Sequence, residues 1–217
     1  MSTLDLLTAA AALAADGTPG GAAAALDALP WLDAAIESDR AAHRFEEWGL
    51  STTIDENTHS PVISQALFEE LHRRAGLPAS WPVGNAGLLH CYGYLLSLEP
   101  TPYGLKRVRW LSGELARGLG LPEHSFSPWD ADATLLSRAT AAASALLTSS
   151  TVTRSAQAEG RVTCVALRTD AGPTALVYAV APTPTDGPLL VTMFPVSDAA
   201  RALSDFDAAN HLRWNAV

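Results

Sequence analysis

The chain has 217 residues, of which 48% are apolar and only 17% are charged, and its formal net charge is −9 at pH 7. This length and apolar content predict one folded domain over residues 1–217 and argue against a disordered chain. An acidic surface repels phosphate backbones and anionic lipid heads, so the composition disfavours nucleic acid as a partner and predicts no membrane partner.

Neither a signal peptide nor a membrane span is recognisable in the sequence. Residues 1–32 carry no basic segment ahead of their apolar residues, and no uncharged apolar run approaches the roughly 20 residues that a membrane span needs. Cys91 and Cys164 lie in apolar runs without CxxC spacing, which predicts buried, unpaired thiols. A reducing cytoplasm is therefore the expected location.

Capping residues, glycine and proline divide the first two-thirds of the chain into helices. We expect a first helix from Ser2 to about Ala15, followed by the breaking segment DGTPGG. An amphipathic helical stretch then extends over about residues 22–48, with an interruption at Pro30.

The middle of the chain combines further helices with one early strand. Ser60 as N-cap and Pro61 in the first turn predict the start of a helix that Gly76 ends. The run AGLLHCYGYLLSL, residues 86–98, is interpreted as the strand because its odd and even positions differ. Helical spacing returns over residues 105–121 and over about 132–147.

From residue 151 the sequence changes from alanine-rich helix to β-type alternation. Four consecutive strands are predicted within residues 151–160, 161–169, 173–181 and 188–196, with one of the connecting turns at 170–173. A short helix over about 198–206 and a closing strand over 211–217 follow. The fold class is therefore predicted to be α+β, in which a helical part (1–150) with one early strand packs on one face of a mainly antiparallel sheet (151–217).

Three cations stand in what the pattern predicts to be the first turn of a helix: Lys106, the only lysine of the chain, with Arg107 and Arg109. Cations at a helix N-terminus oppose the helix dipole, so a negative group should compensate them. That group is either an acidic side chain of a neighbouring element or a bound carboxylate or phosphate. In a partly apolar cleft, Lys106 would also become a better amine nucleophile of the kind that forms Schiff bases.

Two further groups of residues could carry chemistry. On one face of the predicted strand, His90, Tyr92 and Tyr94 would form a pocket wall in which His90 moves a proton, although such residues also serve as ordinary cover for a helix. In the loop TIDENTHS, Glu56 and His59 could form an acid–base pair, although local turns account for the same polarity. Their spacing matches no metal-ligand motif, so no metal is predicted.

Motifs for cofactors are absent from the sequence, which contains no GxGxxG, P-loop, GxSxG or paired CxxC, so no cofactor is predicted. The run ALVYAVAPTPTDGPLLVTMFPV resembles the closing sheet of small bacterial ribonuclease toxins, which implies a ribonuclease-like enzyme as one alternative. The acidic composition does not supply the overall positive charge that binds RNA.

Our leading hypothesis is a cytoplasmic enzyme or binding domain for a small anionic metabolite, with an amino acid as one example. His90 and Lys106 are the predicted catalytic residues. The predicted ligand-binding residues are Tyr92, Tyr94, Arg107, Arg109, Glu56 and His59. The sequence does not decide between catalysis and binding. A noncatalytic interaction or homodimerisation module, using aromatic loops around Trp81 and Trp129, is the alternative from another class.

Overall fold

The computed structural model describes residues 2–130, 132–149, 152–168, 174–183 and 185–217. The α-helices of this described chain are α1 (Thr3–Ala14), α2 (Pro19–Asp27), α3 (Leu32–Ala41), α4 (Gln65–Ala75), α5 (Ala86–Cys91), α6 (Lys106–Leu111), α7 (Glu114–Gly118), α8 (Leu135–Thr148) and α9 (Ala199–Ala208). The strands are β1 (Leu50–Thr52), β2 (Val83–Asn85), β3 (Val152–Ala158), β4 (Arg161–Leu167), β5 (Thr174–Ala181) and β6 (Leu189–Val196). Short 3-10 turns occupy Arg44–Glu47 and Gly93–Leu96.

Local capping chemistry determines where several helices begin and end. Ser2 and Asp5 form a capping box at α1, and the Thr18 side chain accepts a hydrogen bond at the start of α2. Gly76, with a φ of 65°, ends α4 in the left-handed conformation that glycine adopts without strain. The predicted helix end at Gly76 is therefore confirmed.

The C-terminal part forms the predicted antiparallel meander, with strand order β3-β4-β5-β6. Glu159 and Gly160, with φ values of 51° and 79°, form the two-residue turn between β3 and β4. β1 and β2 pair as a separate small antiparallel sheet. The turn predicted at residues 170–173 lies outside the described residues.

The central strands β4 and β5 of the large sheet are buried on both faces, whereas most of β3 is exposed. The larger apolar cluster joins helical residues such as Leu89 and Leu136 to Val177 on one face of β5. A smaller cluster lies on the other face, where Phe206 of α9 and Leu212 of the C-terminal segment pack over β5 residues such as Leu176. The α+β class is confirmed, but α9 corrects the expectation that helices cover only one face of the sheet.

The early strand predicted within residues 86–98 is wrong, because these residues form α5 and the following 3-10 turn. The Asn85 side chain accepts a hydrogen bond from the Leu88 amide at 3.0 Å and so caps α5. Leu88, Leu89 and Cys91 are all fully buried. Apart from His90, every residue of this helix is buried, so the helix has almost no polar face. Its sequence therefore lacks the alternation of polar and apolar residues at 3.6-residue spacing by which an amphipathic helix is recognised.

Two other boundaries differ from prediction. α4 begins after the N-cap Ser64, not at Ser60, because Val62 donates a backbone hydrogen bond to Thr53 and Pro61 lies in a bridge opposite Ile54. This pairing keeps the chain extended as far as residue 62. The helix predicted over residues 105–121 is divided into α6 and α7 by Gly113, which has a φ of 74°.

The predicted closing strand at 211–217 is also wrong. Within it, Ala216 forms a single antiparallel bridge to Ser51 of β1, which ties the C-terminal segment to the helical part. Cys91 and Cys164 are buried and unpaired, as predicted. Among the described residues, no helix combines the length and the apolar character needed to cross a membrane.

Candidate functional site

His90 and Tyr94 form the floor of the candidate site. They stand four residues apart on the helical segment that contains α5, so their side chains lie on the same side, with ring centroids 4.8 Å apart. The hydroxyl of Ser51 lies 3.3 Å from Nε2 of His90, and the Tyr94 hydroxyl donates to the Thr52 carbonyl at 3.0 Å. Both aromatic residues are thereby fixed against β1.

Lys106 lies over this floor and is paired with a buried carboxylate. Its Nζ atom is 2.8 Å from Oδ2 of Asp55 and 5.1 Å from the centroid of the Tyr94 ring. The side chains of Lys106 and Asp55 are only 16% and 4% exposed. The other carboxylate oxygen of Asp55 accepts backbone hydrogen bonds from Asn57 and Thr58. One acidic residue therefore both shapes the loop 55–60 and holds the lysine.

Arg109 extends from α6 toward the same charges. Its guanidinium lies over the Tyr103 ring, 5.4 Å from the centroid, as a cation–π contact. No described Asp or Glu oxygen lies within 4 Å of its nitrogen atoms, although Asp55 acts on it at longer range. Arg109 is thus a partly buried cation without a direct acidic partner in the described chain.

Arg213 approaches from the C-terminal segment. Its Nη2 atom is 3.1 Å from Oε1 of Glu56, and its guanidinium lies 4.5 Å from the centroid of the Phe194 ring at the end of β6. Tyr178 fixes the backbone here, because its hydroxyl accepts a hydrogen bond from the Arg213 amide at 3.3 Å. The C-terminal segment consequently adds a third cation to those of Lys106 and Arg109.

We call this arrangement the Lys106 cluster. It comprises Asp55, Glu56, His90, Tyr94, Lys106, Arg109 and Arg213. Its residues include three permanent cations and two carboxylates, and Glu114 of α7 also acts on Arg109 at longer range. Clustered cations can attract small anions even on a chain whose net charge is −9.

The electrostatics of the cluster keep His90 neutral. Burial is the largest cause of a fall in the pKa of His90 from 6.5 to about 3. The positive charges of Lys106, Arg109 and Arg213 lower this pKa further. A neutral imidazole can accept a hydrogen bond from a ligand, but burial and three nearby cations oppose its protonation near pH 7.

The two members of the buried ion pair respond differently to their surroundings. Burial alone would raise the pKa of Asp55, but hydrogen bonds from Lys106 and from the Asn57 amide hold it at about 2. Burial lowers the pKa of Lys106, and the pairing with Asp55 partly offsets this effect. The ion pair thus favours the ammonium form of Lys106 over the neutral amine that a nucleophile requires.

Not every predicted site residue joins this cluster. Tyr92, two positions beyond His90, points to the opposite side, where it donates to the buried carboxylate of Asp39 and packs near Trp31. The predicted common face for Tyr92 and Tyr94 depended on the strand, which the structure replaces with helix. Arg107 makes no ion pair, hydrogen bond or ring contact with the cluster, and burial alone lowers its pKa.

His59 lies at the rim of the cluster. It follows Glu56 in the same loop, has a φ of 52°, and contacts the ring of Trp214 with centroids 5.6 Å apart. Glu56 pairs with Arg213 rather than with His59. The loop therefore contributes two carboxylates, Asp55 and Glu56, and one aromatic contact. The described residues contain no group of three His, Cys, Asp or Glu side chains suited to a metal.

The predicted site lacked Ser51, Asp55 and Arg213. No local sequence pattern predicts that Ser51 or Arg213 belongs to the site. Arg213 contacts Glu56 across 157 positions of sequence, and Ser51 contacts His90 across 39. Asp55 stands in the same polar loop as Glu56 and His59, which were predicted to bind the ligand. Its burial is what distinguishes it, and burial of a single loop residue is not visible in a sequence.

The two tryptophans of the loops proposed as an interaction surface are only partly exposed. Trp81 and Trp129 are half-buried and pack against the main apolar cluster, with Trp81 also in edge contact with Phe68. Two cavities of the described chain lie elsewhere. The first, of about 380 Å³, is lined by residues such as Glu46 and Leu189, and the second, of about 190 Å³, by residues such as Asp39.

No predicted site residue lines either of these two cavities. Comparison of the chain with family models, with curated proteins and with solved structures gave no match. Function must therefore be argued from the side chains themselves.

Proposed function

We propose that this chain binds a small anionic molecule through the Lys106 cluster. The observation that carries the proposal is Arg109, a partly buried cation that has no acidic partner within 4 Å among the described residues while Lys106 and Arg213 each have one. A partly buried charge is costly to keep without a partner, so a carboxylate or phosphate ligand is a natural counter-ion.

The residues of the cluster take different parts in this binding. Arg109 offers a guanidinium that can bind a carboxylate through two parallel hydrogen bonds. Lys106 adds positive charge at the floor, where Asp55 holds its position. We assign Lys106 the role of a fixed cation and not that of a Schiff-base amine, because its ion pair stabilises the protonated form.

His90 gives the site a neutral hydrogen-bond acceptor. Its imidazole is uncharged near pH 7 because its pKa lies at about 3, so it can accept a hydrogen bond from an acidic ligand. Whether a reaction follows binding depends on the ligand, and the proposal therefore covers a binding domain as well as an enzyme. We keep the reducing cytoplasm as the proposed location, supported by two unpaired buried thiols.

Titration calorimetry with inorganic phosphate and with acetate at low ionic strength tests the proposal, because exposed charges are screened at high salt. Arg109→Gln is the informative variant, since removing this cation leaves no carboxylate without its partner. Arg117→Gln is the matched control, because Arg117 lies on the next helix and pairs with Glu123 at the surface.

We expect saturable binding of at least one of these anions to the unmodified chain and to the control. The affinity should fall about tenfold or more in Arg109→Gln, because hydrogen bonds to charged groups contribute about 1.5–3 kcal/mol. The proposal fails if neither anion binds, or if Arg109→Gln and Arg117→Gln bind equally well.

A further inference from the structure

The exposed aromatic side chains of the described residues stand beside cations of the Lys106 cluster, Tyr103 under Arg109 and Trp214 next to Arg213 in the sequence. Tyr103 is 69% exposed and Trp214 is 51% exposed, whereas every other Phe, Trp and Tyr of the described residues is buried or half-buried. Large aromatic rings usually lie in cores or at binding surfaces, because in water they expose a large apolar area. Two exposed rings beside one group of cations therefore indicate a binding surface.

The two rings lie on two different segments of the chain, each of which contributes a cation to the cluster. Tyr103 precedes α6 and lies over Arg109, which also extends from α6. Trp214 follows Arg213 in the C-terminal segment and makes an edge contact with His59. The charge of Arg213 acts on Arg109, so the two cations beside these rings lie near each other.

We infer that the ligand of the Lys106 cluster is an aromatic carboxylate, whose carboxylate binds Arg109 and whose ring packs against Tyr103 and Trp214. This inference rests on the proposed function and adds the substrate class to it. An aliphatic anion would use only the cations and would leave both rings in water. An aromatic amino acid and an aryl acetate share the chemistry that this site recognises.

The cations of the site favour the same class of ligand. Lys106 lies over the Tyr94 ring and Arg109 over the Tyr103 ring, so two of the cations already make cation–π contacts. Tyr94 is buried and Tyr103 is exposed, so a bound aromatic ring can reach Tyr103 and Arg109 but not Tyr94. A phosphate or acetate of the same charge makes none of these contacts.

Matched ligands separate the contribution of the ring from that of the charge. Acetate, cyclohexylacetate, phenylacetate and indole-3-acetate carry the same carboxylate, and their affinities can be compared by titration calorimetry or by NMR. We expect phenylacetate and indole-3-acetate to bind about tenfold or more tightly than acetate, and more tightly than cyclohexylacetate. In Trp214→Ala this preference should shrink severalfold while the affinity for acetate stays unchanged.

Leu4→Ala is the control variant, because it removes an exposed apolar side chain of α1 that no cluster contact involves. It should keep the full preference for the aromatic ligands. The inference is overturned if acetate binds in an Arg109-dependent way but the aromatic acids bind no better, an outcome that leaves the proposed function intact. If no anion binds in an Arg109-dependent way, the proposed function fails and the inference fails with it.

Self-association is a separate outcome to be measured. Sedimentation of the unmodified chain and of Trp214→Ala shows whether the exposed rings join two copies of the chain. A dimer that Trp214→Ala dissociates, together with an unchanged preference for aromatic ligands, would overturn the inference and assign the rings to a subunit interface.

Discussion

Lowering the pH from 7 to 5 is expected to destabilise the folded chain through His90. The pKa of this residue is about 3 in the folded chain, against 6.5 for an unperturbed histidine. Between these values the unfolded chain binds a proton that the folded chain does not bind. The contribution of His90 to stability is therefore complete above pH 6.5 and is lost as the pH falls, at up to about 1.4 kcal/mol per pH unit.

For this pKa difference, the contribution of His90 to the free energy of unfolding falls by about 2 kcal/mol between pH 7 and pH 5. Asp55 does not interfere, because a carboxyl with a pKa of about 2 stays ionised throughout this range. Burial also lowers the pKa of His72, but that residue contributes equally to any two variants that retain it. A comparison of variants therefore isolates His90.

The informative variant is His90→Gln, whose amide oxygen can still accept a hydrogen bond from Ser51. Urea unfolding at pH 7 and pH 5 should show that the unmodified chain loses about 2 kcal/mol more than His90→Gln does. His124→Gln, a substitution of an exposed histidine, should behave like the unmodified chain. Equal losses in the unmodified chain and in His90→Gln, or NMR signals of His90 that titrate near pH 6.5, would refute the reasoning.

Two further substitutions test the charges of the cluster. Lys106→Met leaves the buried Asp55 without its cation and should lower the free energy of unfolding by about 3–5 kcal/mol, and adding Asp55→Asn should restore part of this loss. Urea unfolding of both variants measures the effect, and a loss below about 1 kcal/mol in Lys106→Met would contradict the prediction. Arg109→Gln should leave the free energy of unfolding within about 0.5 kcal/mol of that of the unmodified chain or raise it, because Arg109 forms no ion pair with a described residue that the substitution would break. A clear loss of stability in thermal or urea unfolding would count against a ligand role for Arg109.

The C-terminal sheet could be predicted because its signals are local. The turn at Glu159 and Gly160, together with runs of β-branched residues, indicates consecutive strands whatever lies on either face. The segment that contains His90 could not be assigned in this way. Its helix is enclosed by the sheet on one side and by α8 on another, so almost every position is apolar and neither period is visible.

The residues of the candidate site likewise fall into those that a local sequence pattern predicts and those that only long-range contacts bring together. Composition alone singles out the three neighbouring cations Lys106, Arg107 and Arg109. The structure brings Lys106 and Arg109 close to His90, while Arg107 stays apart. Arg213 and Ser51 reach the site through the Ala216 bridge and the sheet, which are long-range contacts. A single sequence gives no basis for such contacts, because they depend on tertiary packing and not on local pattern.

Burial is the main cause of the low pKa of His90, but the positive charges that lower it further are the ones we propose for anion binding, so the two properties are physically linked. A carboxylate bound at Arg109 would cancel part of the field acting on His90 and raise the pKa of that imidazole. By linkage, a lower pH that favours protonated His90 would in turn favour the bound anion. The same group that weakens the empty chain in acid would therefore strengthen the complex, which gives a neutral, partly buried histidine among cations a functional reason to exist.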